Sequence, residues 1–284
     1  MNWLSDFPYL HSKDFKLQAP LSDEQLQDVC ATTKWRMEGL IQSENPEVSV
    51  VFPAYNEEMY LPLMLWTLSQ LITYVPIEII WVNNASTDRT WEIMTQSGII
   101  RVNESKKGVS YARQAGLESA KGEYMATTDA DTQVPETWID WNLKHFKGES
   151  NIVCVSWGST QVWAHWSHLI AKKWLRYFRK TLGKKWLAID AFFWHNSFLI
   201  KEIANSVGGY QQWTDLWEDT LIVRKMRQYG DTKRVYWDMD ILVQTSARRV
   251  ASLQKVLRKT LERGYLIVHD NNTMPLGKTF SDIR

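Results

Sequence analysis

Two carboxylates two residues apart, Asp129 and Asp131, close the run Glu123-Tyr-Met-Ala-Thr-Thr-Asp-Ala-Asp. On an extended strand, residues i and i+2 project to the same face, so both side chains reach one small volume if that geometry persists. Two anions this close repel each other unless a cation or a proton lies between them. Oxygen-only ligands favour a hard divalent ion, Mg²⁺ or Mn²⁺, which keeps waters and takes phosphate oxygens to complete its shell. The pattern therefore predicts a metal-bound diphosphate. A solvated turn after a strand is the alternative, and the pair alone does not separate the two.

The surrounding residues do. Val48-Ser-Val-Val-Phe-Pro-Ala-Tyr-Asn-Glu-Glu58 is a β-branched run expected to stop at Pro53. A second strand with a polar end and a helix start follows in Ile77-Glu-Ile-Ile-Trp-Val-Asn-Asn-Ala-Ser-Thr-Asp-Arg-Thr90. Then come Lys107-Gly-Val-Ser-Tyr-Ala-Arg-Gln-Ala-Gly116, the Asp-Ala-Asp strand, and Trp217-Glu-Asp-Thr-Leu-Ile-Val-Arg224. This ordered set resembles the inverting family 2 glycosyltransferases of the GT-A fold. Their usual pattern is a Pro-x-Tyr-Asn-Glu strand end, an Asp-(Asp/Asn)-x-Ser-x-Asp loop, a Gly-x-x-x-Ala-Arg-Asn helix, an Asp-x-Asp and a late Glu-Asp. The resemblance covers roughly Glu47 to Arg249, and the elements in this order are far more specific than any one of them.

By that resemblance the donor is a nucleotide-diphosphate sugar, a UDP-sugar first among them, and Mg²⁺ or Mn²⁺ is the cofactor. Pro53, Tyr55, Asn56, Glu57, Asn83, Asn84, Lys107, Arg113, Asp129 and Ala130 fall in the nucleotide-binding positions, and Asp129 and Asp131 in the metal positions. Asn83 stands where the family carries its first Asp. An amide oxygen still accepts a base N–H, and the NH₂ also donates, so the departure bears on which nucleotide binds more than on whether one does. An Asn-Asn turn at a strand end is the other reading. Asp88 reads as a helix cap rather than a catalytic acid.

Gly108 lets backbone approach a ligand, and Arg113 sits about a turn into a helix starting near Ser110, a place suited to phosphate or ribose. Alternatively Arg113 pairs on the helix surface with Glu118, though a spacing of five residues is poor for that. Glu218 and Asp219 open an amphipathic stretch, and acids in a first turn suit the helix dipole whatever else they do. The family pattern makes Asp219 the general base that takes the proton of the acceptor hydroxyl. Desolvation and its like-charged neighbour would raise its pKa for that role. Glu218 then binds acceptor or serves as the second candidate base. Gly208-Gly209-Tyr210 matches the family segment leading into this site. Trp217 and His195-Asn196 fall in the acceptor zone, where a lone His among aromatics is equally a structural residue. Arg248 and Arg249 follow a strand expected at 240–244. They either close over the diphosphate or begin a solvated last helix.

These positions require an alternating scaffold. Strands are expected at 48–52, 77–82, 99–102, 123–128 and 151–156, and helices from about Glu57, Thr87 and Ser110, with another over 135–146. Ser86 and Asp88 offer caps, and Pro135 suits a first helical turn. The fold class is α/β: a mostly parallel sheet flanked by helices, with ligands at the carboxyl ends of its strands. Residues 1–46 read as a helical leader packed on a single domain over 47–284, whose halves are nucleotide-binding (47–156) and acceptor-binding (157–284).

The chain has 284 residues, 44% of them hydrophobic, and a net charge of +1, which suits one globular enzyme and argues against a disordered chain or a nucleic-acid partner. Cys30 and Cys154 lack disulfide or metal spacing and read as small buried hydrophobes in a reducing compartment. Residues 1–20 hold no signal-peptide core, and Leu61 to Ile72 is too short to span a bilayer, so a cytoplasmic protein is expected.

Residues 161–189 carry seven Lys and Arg without an acid before Asp190. Trp163, Trp166 and Trp174 share an apolar arc there. Residues 161–185 either seat peripherally on the inner face of an anionic membrane or form an ordinary core helix with a basic outer face. The expected activity is inverting sugar transfer to a carbohydrate or lipid-linked acceptor in cell-envelope synthesis. A sugar nucleotidyltransferase would want a Gly-rich, Arg-bearing loop where this chain has Pro-Ala-Tyr-Asn-Glu. A non-catalytic carbohydrate-binding protein on the same fold would keep the motifs without turnover.

Overall fold

The computed structural model describes residues 17, 19–38, 40, 44–148, 151–162, 196–210, 218–229 and 234–246. The chain divides into two units, Met1–Thr160 with Phe193–Thr245, and Gln161–Phe192 with Ser246–Arg284. The second lies almost wholly outside the described residues, as do the basic stretch 163–185, His195, Trp217, Arg248 and Arg249.

Short runs of Val, Ile and aromatic residues form the strands because their branched or flat side chains fit a pleated surface covered on both sides. The first four are β1 (Val48–Ala54), β2 (Ile77–Asn84), β3 (Ile100–Glu104) and β4 (Tyr124–Thr128). Each is separated from the next by a helix: α2 (Leu61–Leu68), α3 (Thr90–Gln96) and α4 (Val109–Ser119), while α1 (Asp23–Glu38) precedes them all. β1 pairs in parallel with both β2 and β4, and β2 with β3. The rest are β5 (Thr132–Gln133), α5 (Trp138–Gly148), β6 (Ile152–Val162), β7 (Asn196–Ile200), α6 (Lys201–Ser206), α7 (Glu218–Gln228) and β8 (Arg234–Ser246). Together the strands make one sheet in the order β3-β2-β1-β4-β7-β6-β8-β5. The parallel character belongs to β1–β4; β7 runs antiparallel to β4 and β6, and β5 to β8.

Alternation along β1 sends Val50 and Phe52 to one face and Val51 to the other. One buried cluster joins Val50 and Phe52 with residues of α1, α2, α3 and α5; the second joins Val51 with residues of α4 and α7. Gly116 of α4 lies so close to β1 that a Cβ there would come within 2.4 Å of the Val51 side chain. That contact holds α4 tight against the sheet beneath the strand ends. On the opposite face α1 buries Leu26, Val29, Cys30 and Met37. Burial pushes the Cys30 thiol up to about 12, and both cysteines are buried and free.

Two local expectations shift. β1 does not stop at Pro53 but carries it in register with Val82 and ends at Ala54. In a parallel ladder only alternate residues donate to a given neighbour, so a proline's missing N–H is tolerated near a strand end. The helices after β1 and β2 start a few residues late, at Leu61 and Thr90 rather than near Glu57 and Thr87. The intervening residues are spent on turns that hold the carboxyl edge together.

Candidate active site

The carboxyl ends of β1 and β2 are built from side chains that bond to each other's backbone. Asn56 and Ala85 both take left-handed backbone, with φ of 54° and 56°, which turns each loop sharply out of its strand. The Asn56 N–H donates to Ser86 Oγ at 3.1 Å, and Asn56 Oδ1 accepts the Thr87 N–H at 2.8 Å. The Glu57 N–H donates to Thr90 Oγ1 at 2.8 Å, and the Arg89 N–H to Glu58 Oε2 at 3.1 Å. Asp88 accepts from the Thr90 N–H at 2.9 Å and the Glu58 N–H at 3.2 Å, capping α3 and bridging the loops, as its reading as a cap anticipated. Ser86, the other expected cap, instead serves Asn56.

One strand further out, Asn83 Nδ2 donates to Asn103 Oδ1 at 2.7 Å, and Asn83 Oδ1 accepts the Ser86 N–H at 3.3 Å. Asn84 uses both ends of its amide on the next loop: Nδ2 donates to the Lys106 carbonyl at 2.6 Å, and Oδ1 accepts the Gly108 N–H at 2.9 Å. Gly108 has φ 137°, which an L side chain rarely adopts, and this turn delivers the chain into α4. Lys107 Nζ lies 5.7 Å from the centroid of the Tyr55 ring, and that ring is 45% exposed. An exposed ring with a cation over one of its faces suits a flat, anionic ligand.

The two carboxylates have different surroundings. Arg113, 3% exposed, reaches from α4 to the end of β4, where its Nη2 donates to Asp129 Oδ1 at 3.0 Å. Its partner is therefore Asp129 and not Glu118, which instead accepts from Gln114 Nε2 at 2.8 Å. Asp131 lies two residues on and is 4% exposed. Its Oδ1 accepts from Thr245 Oγ1 at 3.4 Å, and that hydroxyl also accepts from Thr132 Oγ1 at 3.0 Å, where β5 meets β8. Among the described residues no group of three or more His, Cys, Asp or Glu side chains forms a metal cluster. An ion here would rest on the aspartates, with water and phosphate oxygens completing its shell. Such a donor set fits Mg²⁺ or Mn²⁺.

Asp129 and Arg113 thus pair at the end of β4, with Asp131 in the turn two residues on, beside an interlocked edge formed by Pro53–Glu57, Asn83, Asn84 and Lys107. Ala130 lies between the aspartates and is buried. Asn196 opens β7, the strand next to β4: fully buried, it pairs with Thr128 across the β4–β7 ladder and accepts from Trp138 Nε1 at 2.7 Å. It therefore braces the strand end next to Asp129 from the neighbouring strand. Glu218 and Asp219 open α7, as expected. Sequence reasoning did not single out Asn103, Gln114 or Thr245. Asn103 was within reach of it, since the parallel register sets it beside Asn83 at the same edge.

The sequence matches the profile described as Glycosyl transferase family 2 over residues 49–208. It is 39% identical over 99 residues to glycosyltransferase GlyG of Streptococcus pneumoniae, a stretch covering 33% of this chain and 33% of that protein. It is 32% identical over 124 residues to the minor teichoic acid biosynthesis protein GgaB of Bacillus subtilis, covering 40% of this chain and 14% of GgaB. The match thus spans a third or less of these two relatives. Among solved structures, the mannosyltransferase PcManGT of Pyrobaculum calidifontis, in complex with GDP-Man and Mn²⁺, superposes with a TM-score of 0.60. That likeness covers 88% of this chain and 77% of PcManGT at 17% identity, and it identifies the GT-A fold.

Proposed function

Since the chain belongs to glycosyl transferase family 2, we propose that it moves a sugar from a nucleotide-diphosphate donor to an acceptor hydroxyl with inversion, in cell-envelope glycan synthesis. The observation that carries this reading is the Arg113–Asp129 pair beside Asp131 at the carboxyl end of β4. It sets an oriented carboxylate and a second oxygen ligand at the strand ends where α/β sheets bind nucleotides. Tyr55 offers its exposed ring to the base and Lys107 its charge to the phosphates. Asp129, held by Arg113, would face the ribose, and Asp131 with Asp129 would hold Mg²⁺ or Mn²⁺ on the diphosphate. When bound, that ion neutralises the charge gathering on the leaving group. Asp219 takes the proton of the acceptor hydroxyl as its oxygen attacks the anomeric carbon and the nucleoside diphosphate departs. A single displacement of this kind inverts the centre.

The envelope assignment is supported by the teichoic acid protein GgaB among the relatives. A lipid-linked acceptor also accords with the basic, Trp-bearing stretch 161–185, which would then sit peripherally on the inner membrane face. Among the described residues no helix is long and apolar enough to cross a membrane. UDP-sugars are the first donors to test, and a thermal-shift screen of UDP, GDP, CDP and dTDP species with Mn²⁺ identifies the base.

Replacing Asp219 by Asn keeps shape but removes the proton acceptor, and turnover is expected to fall by about two to four powers of ten with donor affinity held. Glu218→Gln is the matched control with a milder loss. If Glu218→Gln is the inactive variant, the two roles are exchanged; if neither loses turnover, the acidic pair only starts a helix.

A further inference from the structure

α4 carries two consecutive side chains that lead in different directions. Arg113 runs to Asp129, whereas Gln114 runs to the turn that follows α6. That turn is Gly208-Gly209-Tyr210, in which both glycines have positive φ, 88° and 62°. The Gly208 N–H caps back to the Asn205 carbonyl and the Gly209 N–H to Ala204, each at 2.9 Å, so α6 ends in a tight reversal. Gln114 Oε1 accepts the Tyr210 N–H at 2.8 Å and lies where a Cβ on Gly209 would be, 2.3 Å from that position. Its other end is fixed by Nε2 donating to Glu118 Oε1 at 2.8 Å. Tyr210 is 2% exposed and shares a buried cluster with Leu117 of α4 and with Ile222, Val223 and Met226 of α7.

We propose that Gln114 is a positioning residue for the transfer step: it clamps the Gly208-Gly209-Tyr210 turn to the helix that holds Asp129, and so sets the base-bearing start of α7 relative to the donor site. The proposal rests on the reading of Asp219 as base. Its physical content is a short path. Arg113 and Gln114 are neighbours on one rigid helix, so a carboxylate aligned on the donor and a backbone amide leading to α7 share one frame. The glycines make this contact feasible, because only a residue without Cβ leaves room for Gln114 at a left-handed turn. Gln114 itself bonds to Tyr210 and Glu118 rather than to a donor-site residue, so donor affinity should not register its loss, whereas the geometry of proton removal should.

The test compares Gln114→Ala, Gln114→Glu and the exchange Gln114→Glu with Glu118→Gln, measuring transfer kcat, donor dissociation constant and melting temperature for each. Gln114→Ala should lower kcat about ten- to a hundredfold with donor affinity held within about twofold, as expected for a displaced catalytic group. Gln114→Glu alone keeps an acceptor for Tyr210 but faces Glu118 and should be intermediate. The double exchange keeps an acceptor for the Tyr210 N–H and restores the bond between positions 114 and 118 with donor and acceptor reversed, so kcat should return to within about threefold of the parent. Parent-like kcat in Gln114→Ala, donor affinity falling in step with kcat, or failure of the double exchange to recover would each overturn the proposal. Asp219→Asn measured in parallel separates the levels. If it is inactive while Gln114→Ala is parent-like, only the clamp falls; if it retains turnover, the reading of the base falls.

Discussion

The two ends of the same sheet both bury carboxylates, and they use them differently. At the amino end, Glu78 is 2% exposed and accepts from Ser49 Oγ at 2.6 Å and from the Lys121 N–H at 2.7 Å. Ser49 Oγ in turn accepts the Gly122 N–H at 2.8 Å. These partners belong to β1 and to the turn between α4 and β4, so the charge stitches strands together. At the carboxyl end, Asp129 is held by the Arg113 guanidinium from α4, and the same edge of the sheet carries exposed groups, Tyr55, Asn56, Asn103 and Lys107, at the ends of β1 to β3. Burial of a carboxylate therefore does not mark function. What separates the ends is whether the donors are backbone and hydroxyl groups that close the fold or a side chain placed next to an open edge.

That contrast breaks if the two carboxylates respond alike to removal. The largest effect is expected at the carboxyl end: Asp131→Ala should abolish Mn²⁺-dependent nucleotide binding, since Asp129 alone, already paired with Arg113, does not hold the ion against water. Titrating nucleotide with and without Mn²⁺ measures this, and undiminished binding would remove the Asp-Ala-Asp site from the account. Without ligand, its melting temperature should stay within about 3 °C of the parent. Glu78→Ala should do the reverse. Two donors lose a charged acceptor, which costs about 2–4 kcal/mol, read as a fall in melting temperature of about 5–10 °C with nucleotide affinity kept. Loss of nucleotide binding with an unchanged melting temperature would show that Glu78 serves the site.

The same contrast explains what was legible in the sequence. Five strands could be read from short apolar or β-branched runs, and four of them, β1 to β4, carry the site at their ends. Asp129 and Asp131 were visible through motif order, although the extended geometry expected of them stops at Thr128: both lie in the turn after β4, which the Thr132 N–H closes onto the Asp129 carbonyl at 3.1 Å. Glu78 was not, because Ile77-Glu-Ile-Ile looks like an alternating strand with one wet face; helices on both faces bury it. Arg113 was flagged, but its partner was not, since a contact across sixteen residues from helix to strand end leaves no trace in local spacing. Helix starts were read early for a related reason. Asn56 and Ser86 spend their side chains bridging two loops, a tertiary use that overrides their local preference for caps and turns, and Asp88 caps α3 only from Thr90 onward.

A smaller effect sharpens the comparison at the turn beside α4. Gly208→Ala meets nothing within 4 Å and suffers only from its positive φ, whereas Gly209→Ala also drives a Cβ into Gln114. Each should lose about 1–2 kcal/mol from backbone strain, with Gly209→Ala the more costly. Only Gly209→Ala should also depress kcat. Equal kcat for the two variants would mean that the turn tolerates displacement of Gln114.

The smallest effect belongs to the surface tie between α1 and α3. Arg89 donates to the Leu21 carbonyl at 2.9 Å and pairs with Asp23 and Glu92, each at 2.7 Å, while Asp23 is 84% exposed. Exposed pairs gain little over their hydrated state, so Glu92→Gln should shift the melting temperature by less than about 2 °C, and less still in high salt. The Arg89 hydrogen bond holds the Glu92 carboxyl below its ordinary value of 4.5. A group with a lowered folded pKa stabilises at pH above its unfolded value and loses that contribution as pH falls through the folded one. The parent's slight advantage over Glu92→Gln should therefore be present at neutral pH and fade only below pH 4.5, as Glu92 takes up its proton. A large loss at neutral pH would mean that α1 is held by its charges. A small one leaves Leu26, Val29, Cys30 and Met37, buried against the sheet's helices, as what seats it.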